Sequence, residues 1–262
     1  MVGALGGLLG GLLGVGGGII IIPALLLVLH EQFGPGSLHV YKLAALLTSI
    51  VVSTPAAIRH LRARAVIPAM VASIVPLALF GSILGVALAA QFAGPQTHVL
   101  RRSFGVFMVL TVIANLWHSR RAARGVAAGA QSCPVPTRWP LIGTVVGAPS
   151  GIVSGLLGVG GGIWAVPAQH LALGIRLPNA VANSSCMIPF VTGFAAIVQA
   201  IAIARMPDIR VLDGFWLGAL LAPGAALGGW FGAALTHRLP AVTLRMVFFA
   251  LLVVTGVDLA VS

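Results

Sequence analysis

The sequence predicts an all-α polytopic membrane protein composed of two similar halves. Of its 262 residues, 59% are hydrophobic and only 7% are charged, and the mean hydropathy of +1.08 is far above that of soluble domains. The Gly-rich run at residues 10–19 also recurs almost unchanged at residues 154–163, and each copy is followed by a proline, Pro23 or Pro167. These observations indicate a duplicated unit of membrane helices.

Eight hydrophobic segments can be placed along the chain, given that about 20 apolar residues are needed for one membrane span. They lie near residues 2–29, 40–58, 66–91, 99–117, 139–173, 180–204, 211–235 and 242–261. The first and fifth segments are too long for one untilted span, and each contains a copy of the Gly-rich run. We expect these two segments to be broken or re-entrant at that run.

The segments divide into two repeats of four. Residues 1–119 form the first membrane repeat, residues 120–138 form an Arg-containing linker, and residues 139–262 form the second repeat. The excess of Lys and Arg on one side predicts that the linker is cytoplasmic. Full crossing by the first and fifth segments would make the repeats parallel, whereas re-entry would make them inverted. The charge count favours inversion by a single residue, so both arrangements stay open at this point.

The two glycine triplets are the first candidates for a binding site. Their members are Gly16, Gly17, Gly18, Gly160, Gly161 and Gly162. Each glycine disfavours a helix by roughly 1 kcal/mol relative to alanine, and bare backbone can approach a ligand closely. A helix that resumes after such a break begins with unpaired N–H groups and the positive end of its dipole, which together bind anions.

An alternative interpretation of the glycines is close helix packing in lipid. This interpretation rests on four-residue spacing, which is found at Gly6, Gly10, Gly14 and Gly18, and again at Gly147, Gly151 and Gly155. Packing alone does not explain why three glycines are consecutive.

Polar side chains inside the apolar segments supply further candidates, because in lipid they need partners and usually face a cavity. These residues are Thr48, Ser49, Gln169, His170, Asn183, Ser184 and Ser185. Their hydroxyl and amide groups can donate hydrogen bonds to a small oxyanion. A membrane-helix serine or threonine can equally bond to a carbonyl of its own helix, and His170 can equally make a structural hydrogen bond. The hydroxyl pair of the second segment nevertheless recurs in the sixth segment.

Other chemistries find little support in the sequence. The only carboxylates are Glu31, Asp208, Asp213 and Asp258. None has an acidic partner at helical spacing within an apolar segment, which argues against a metal site or an acid/base dyad. The two cysteines, Cys133 and Cys186, provide no disulfide framework. The basic residues lie mainly between the segments, which favours membrane anchoring over nucleic-acid binding. We therefore expect no enzymatic activity, no cofactor and no nucleic-acid partner.

Taken together, the motifs resemble the sulfite exporter TauE/SafE family of bacterial and archaeal membrane permeases. They are the duplicated G-L-L-G-V-G-G-G-I run with its proline, the hydroxyl pair in the next segment, and P-x-x-x-x-G-x-x-x-G in the third. The resemblance covers nearly the whole chain. It implies transport of a small sulfur-containing anion, such as sulfite, sulfoacetate or a related organosulfonate, and it implies that the glycine triplets and hydroxyl pairs are the matching positions.

Two departures leave the substrate within the family open. Residues 183–187 read N-S-S-C-M where a Thr-Ser-Leu type of sequence is expected, and Ala65 stands where a glycine-containing turn is expected.

We accordingly expect a secondary transporter in the cytoplasmic membrane, surrounded by the lipid bilayer, with its site between the two repeats. The alternatives are a passive anion channel on the same fold and a membrane thiol enzyme that uses Cys186. A proton or a sodium ion is a candidate coupling ion, and a proton would be carried by His170 or by the substrate itself. A homodimer is a candidate assembly.

Overall fold

The computed structural model describes residues 1–29, 37–91, 139–206, 209–236 and 238–240, together with a few isolated positions. The predicted fourth and eighth segments and the linker lie outside the described residues, apart from those isolated positions. Cys133, Glu31, Asp208 and Asp258 also lie outside them.

All regular structure in the described part of the chain is helical. The helices are α1 (Val2–Leu13), α2 (Gly18–Leu29), α3 (Ser37–Arg62), α4 (Pro68–Gln91), α5 (Trp139–Ile142), α6 (Ala148–Leu157), α7 (Gly162–Pro167), α8 (Leu177–Ala204) and α9 (Val211–Thr236). A π-helical segment, Gly143–Gly147, joins α5 to α6, and a second, Ala168–Ala172, continues α7. Four helices, α3, α4, α8 and α9, are long and apolar enough to cross a membrane. The all-helical membrane class is thereby confirmed, while the arrangement in eight segments stays a prediction.

The first predicted segment is broken at its glycines, as expected. Helix α1 ends where Gly14 adopts a left-handed conformation (φ 65°) and donates its N–H to the carbonyl of Gly10. Gly16 is also left-handed, with φ 81°, and α2 begins at Gly18. The chain then runs back along itself, because a Cβ built on Gly6 would lie 3.1 Å from Ile21 Cγ1. Helices α1 and α2 therefore form an antiparallel hairpin whose tip is the Gly-rich run.

The fifth predicted segment forms a second hairpin of the same kind. Helix α6 ends at the left-handed Gly158 (φ 75°), and two further left-handed glycines, Gly160 and Gly161, precede α7. The return arm is tied to the outgoing arm by Trp164, whose indole Nε1–H donates to the carbonyl of Val145 at 2.9 Å.

Glycines at four-residue spacing bring each hairpin against a long helix. On α1 the packed row is Gly3, Gly7 and Gly11, where a Cβ would lie 2.5 Å from a carbonyl oxygen of α9 in each case. The row at Gly147, Gly151 and Gly155 packs in the same way against α4. Packing was therefore the right interpretation for the second row. In the first hairpin the predicted packing row was displaced by one residue, because Gly6 faces Ile21 of α2 and Gly10 faces Gly16 of the break.

Each hairpin contacts a long helix from the other half of the chain, and the two sets of contacts correspond. In α4, Gly81 packs against Ala148 of the second hairpin, and in α9, Gly228 packs against Ala4 of the first. Ala4 and Ala148 occupy equivalent positions relative to the two Gly-rich runs. Each hairpin thus packs on the long helix of the other half of the chain, which interlocks the two halves.

Helix α3 is longer at both ends than the predicted second segment. It begins at Ser37, so His39 belongs to the helix and is buried. At the other end His60 is also buried. The preceding Arg59 packs on an aromatic ring of α9, since its guanidinium carbon lies 5.1 Å from the ring centre of Trp230.

Candidate functional site

The tips of the two hairpins meet each other. A Cβ built on Gly18 would lie 2.8 Å from the Cα of Val159, and one built on Gly162 would lie 2.6 Å from the Cα of Val15. Gly18 and Gly162 are equivalent in the repeat, as are Val15 and Val159, so the contact is reciprocal. The six candidate glycines are buried. The two breaks therefore form one joint structure, as the anion-site hypothesis requires.

Helices α3 and α8 pass on either side of the joined tips. In the first break, Gly16 approaches Ser49 of α3, with 3.1 Å between a Cβ built there and the hydroxyl oxygen. In the second break, the equivalent Gly160 approaches Ile188 and Thr192 of α8, with a Cβ 3.4 Å from each side chain. Each break also contacts the other of these two helices. Gly14 packs against Val181 of α8, and Gly158 packs against Lys42 of α3.

These contacts correct the pairing of the hydroxyl residues. The sequence interpretation matched Ser49 with Ser185, but the contacts match Ser49 with Ile188, since the two residues face equivalent glycines. The expected pairing was wrong because it matched residues with similar side chains. In the structure, the equivalent residues of α3 and α8 are those that contact equivalent glycines. Hydroxyl groups at these two places are therefore not related by the duplication.

Two of the predicted hydroxyl groups already donate to backbone carbonyls. Thr48 Oγ1 donates to the carbonyl of Ala44 at 2.7 Å, within its own helix. Ser184 Oγ donates to the carbonyl of Gly14 at 2.6 Å. Ser184 therefore secures the turn at the first break, while Thr48 makes the ordinary local bond that was the alternative interpretation.

The other two hydroxyl groups have no hydrogen-bond partner among the described residues. Ser49 Oγ and Ser185 Oγ are both buried and unpaired. Buried polar groups in native proteins are normally paired. Ser49, whose hydroxyl oxygen adjoins Gly16 of the first break, is therefore a candidate ligand donor.

Asn183 joins three parts of the chain. Its Oδ1 accepts from the N–H of Ile67 at 2.7 Å, and its Nδ2–H donates to Gln169 Oε1 at 2.9 Å. Asn183 is thus a structural residue that fixes the loop before α4 to α8. Gln169 is left with an unpaired, buried Nε2 within the described part of the chain, so its amide keeps donors for a ligand.

His170 is engaged in a structural contact. Its Nδ1 lies 2.8 Å from the carbonyl of Ile175, and the side chain is half-buried. This bond closes the turn between the π-helical segment and α8, which is the structural role that the sequence left open.

Gly17 and Gly161 are enclosed on the side where a side chain would project. A Cβ built on Gly17 would lie 2.8 Å from Ile21 Cδ1 and 3.3 Å from Val52 Cγ2. Gly161 has a φ of 73° and packs against the backbone of Ser150. Both glycines are therefore needed by the hairpins themselves, whatever they contribute to a ligand.

A group of polar residues missed by the sequence interpretation lies near the start of α3. Lys42 is 1% exposed, and its Nζ has no hydrogen-bond partner among the described residues. One turn earlier, His39 Nδ1 lies 3.3 Å from Gln199 Nε2 of α8. The available signal was a lysine inside the apolar span. It was overlooked because the span was started at residue 40, which made Lys42 look like an edge residue.

Cys186 lies in a different environment. It lines an apolar groove of about 590 Å³ between α3, α4 and α8, together with residues such as Ile58, Val75 and Phe190. The lining of this groove contains none of the glycines of the breaks. In the part of the chain that the structure describes, no group of three or more His, Cys, Asp or Glu residues could hold a metal ion.

Comparison with known proteins points to membrane transporters. The family profile described as "Sulfite exporter TauE/SafE" matches residues 1–259. Similar proteins include the "Probable membrane transporter protein YunE" of Bacillus subtilis, 26% identical over 99% of this chain and 95% of that protein. A "Probable membrane transporter protein" of Haemophilus influenzae is 28% identical over 99% of this chain and 96% of its own length.

A longer relative is the "Probable membrane transporter protein MamO" of Magnetospirillum gryphiswaldense, 26% identical over 93% of this chain. The chain spans about two fifths of that relative, since the match covers 41% of its length. No solved structure shows a significant match.

Proposed function

Because the chain belongs to the sulfite exporter TauE/SafE family, we propose that it carries a small sulfur-containing anion across the cytoplasmic membrane. The chain is a multi-pass membrane protein, and its named relatives are membrane transporters. Sulfite, sulfoacetate and related organosulfonates are the proposed substrates, bound between the two halves of the chain.

The observation that carries this proposal is the joining of the two hairpin tips beside Ser49, a buried hydroxyl donor without a partner among the described residues. Ser49 Oγ, Ser185 Oγ and Gln169 Nε2 are buried and without partners among the described residues. Leaving such a group unpaired costs about 1–3 kcal/mol, and a bound oxyanion would recover that energy by accepting the hydrogen bonds. The helix that resumes at Gly18 adds the positive end of its dipole, although the N–H groups of Ile20 and Ile21 already donate to the carbonyl of Gly17.

The chemistry of these donors favours an anion over a cation. Within the described residues the only carboxylate is Asp213, which is half-buried in the first turn of α9 and lies away from both breaks in sequence. Hydroxyl and amide groups are neutral donors, so they can bind an oxyanion and still release it.

The antiparallel course of each hairpin supports re-entry of the first and fifth segments. A segment that returns to its starting side reverses the orientation of the second repeat, and inverted repeats with broken helices at their interface are a common design for alternating access. We therefore propose inverted repeats that expose the joined tips to one side at a time.

A passive anion channel remains the second candidate, because a broken helix with polar donors can also line a pore. Purified protein in liposomes separates the two. With labelled sulfite or sulfoacetate outside and a proton or sodium gradient imposed, a coupled carrier accumulates the anion above its outside concentration. A channel only brings the two sides to electrochemical equilibrium. Absence of flux for every sulfur anion, with a correctly folded protein, would overturn the proposed substrate class.

A further inference from the structure

Lys42 is a buried basic residue at the edge of the joined hairpin tips. It belongs to the second turn of α3, is 1% exposed, and has no hydrogen-bond partner for Nζ in the described part of the chain. Its backbone packs directly on the second break, because a Cβ built on Gly158 would lie 3.2 Å from the Cα of Lys42. An ammonium group so placed is poorly solvated, and a buried charge is normally paired.

Packing does not require a charge at this position. In the first break the glycine equivalent to Gly158 is Gly14, and a Cβ built on Gly14 would lie 3.0 Å from the Cα of Val181. Val181 and Lys42 therefore fill equivalent places in the two halves. An apolar residue satisfies the contact in one half, so the lysine in the other half needs an explanation beyond the fold.

Among the described residues, no carboxylate is in hydrogen-bonding contact with Lys42 Nζ. His39 lies one turn earlier on the same face of α3, and its Nε2 has no partner among the described residues. Gln199 of α8 contacts the other ring nitrogen of His39 and has an unpaired Oε1. Glu31 lies outside the described residues, in the connection that leads into α3, and is therefore the acidic residue whose pairing with Lys42 must be tested.

We infer that Lys42 is the residue that neutralises the charge of the transported anion, on the α3 side of the second break. This inference rests on the proposed function and deepens it. Lys42 places a positive charge beside the second break, and Ser49, two turns further along α3, places a neutral hydroxyl donor beside the first. A small anion that moves along the joined tips would pair with the ammonium at one point of its path and accept a hydrogen bond from Ser49 at the next.

The test compares binding of sulfite and sulfoacetate to the full-length purified protein by titration calorimetry. K42M removes the charge and keeps the length of the side chain, while K42R keeps the charge. V181M is the matched control, because it places the same methionine at the equivalent position of the other half. We expect binding at least tenfold weaker in K42M, within a few-fold of wild type in K42R, and near wild type in V181M.

Several outcomes would overturn the inference. One is anion binding by K42M that is as tight as in wild type. Another is an equal weakening of anion binding in K42M and E31Q, because that result would assign Lys42 to a structural ion pair with Glu31. Should K42M fail to fold, K42Q provides a neutral side chain that can still bond to its polar neighbours, and it should show the same loss.

The experiment also separates this inference from the proposed substrate. If wild-type protein binds no sulfur anion, the proposed function fails. The same variants are then compared with phosphate, nitrate and acetate, where a selective loss in K42M would still support Lys42 as the charge-neutralising residue. Binding of none of these anions would overturn both proposals.

Discussion

Gly162 packs on the Cα of Val15, and this contact joins the two hairpin tips. A Cβ at position 162 would lie 2.6 Å from that Cα, a separation that real Cβ atoms do not show. The reciprocal contact of Gly18 on Val159 makes the junction two-sided. Any residue larger than glycine at either place must push one break away from the other.

We predict that G162A lowers folded yield sharply, because the clash is with backbone atoms on both sides and overpacking costs about 1–3 kcal/mol even where side chains can yield. The measurement is the monodisperse fraction on size exclusion together with the thermal midpoint. G193A is the control, since a Cβ on Gly193 of α8 would meet only Ile50 Cδ1, at an ordinary 3.8 Å. A stable, monodisperse G162A protein would show that the tips are not held together as described.

The same geometry changes an expectation drawn from the sequence. If the glycines served only the approach of a ligand, a valine at position 17 or 161 would abolish transport more than it lowers folded yield. At Gly161 the left-handed φ of 73° and the contact with Ser150 mean that yield and transport should fall together. The spacing of glycines in the sequence does not show where neighbouring atoms already pack against each one.

Ser49 and Thr48 are neighbours with different roles. We predict that S49A reduces transport at least tenfold with little loss of folded protein, because its hydroxyl faces the first break and has no partner in the described part of the chain. T48A should leave transport nearly unchanged, since the Thr48 hydroxyl serves the carbonyl of Ala44. Transport rate per folded molecule in liposomes decides between them. Equal transport in both variants would remove Ser49 from the proposed site.

Ser184 and Ser185 form a second informative pair. S184A removes the hydrogen bond to the carbonyl of Gly14 and leaves that buried acceptor unpaired, so we expect a loss of about 1–3 kcal/mol of stability. S185A removes an already unpaired hydroxyl and should leave the stability near wild type while weakening anion binding. Thermal midpoints without ligand and with sulfite measure both effects. A ligand-free S185A protein less stable than S184A would reverse the two roles.

The hairpins were predictable because they depend on local covalent properties. Runs of consecutive glycine interrupt a helix wherever they occur, and the duplication showed that both breaks belong to equivalent elements. The register between α3 and α8 was not predictable in this way. This register depends on which residues of α3 and α8 contact the glycines of the breaks. The shared hydroxyl group of Ser49 and Ser185 suggested a register that differs from the one in the structure.

The candidate site was only partly predictable for a related reason. Whether a buried polar group serves the fold or a ligand depends on its partners, which lie far away in sequence. Asn183 Oδ1 accepts a hydrogen bond from the N–H of Ile67, and Ser184 Oγ donates one to the carbonyl of Gly14. Lys42 escaped attention because hydropathy places the edge of a span only approximately, and a charge near an edge resembles an interface anchor.

The turn between α3 and α4 gives a test of backbone strain. Arg64 is an exposed, non-glycine residue with a left-handed φ of 52°, near the point where the family pattern suggests glycine. R64G should raise stability by a few tenths to about 1 kcal/mol, since glycine adopts this conformation without steric cost. The thermal midpoint of R64G is the measurement. R62G, at the last residue of helix α3, is the control, because Arg62 has no left-handed φ and glycine should bring no gain in stability there. A lower midpoint in R64G would show that the arginine side chain outweighs the strain.

The last prediction concerns proton coupling, for which His170 was a candidate. Its Nδ1 is held 2.8 Å from the carbonyl of Ile175, at the turn that leads into α8. A glutamine there can donate a similar hydrogen bond but cannot titrate in the physiological range. We therefore expect H170Q to retain gradient-driven uptake with the pH profile of wild type. H170A, which also loses the hydrogen bond, should instead lower the thermal midpoint.

Uptake is measured in liposomes at several external pH values under a fixed membrane potential. A flattened pH profile in H170Q, with normal stability, would restore His170 as the proton carrier. An unchanged profile leaves the protonation of the substrate, or a sodium ion, as the source of coupling.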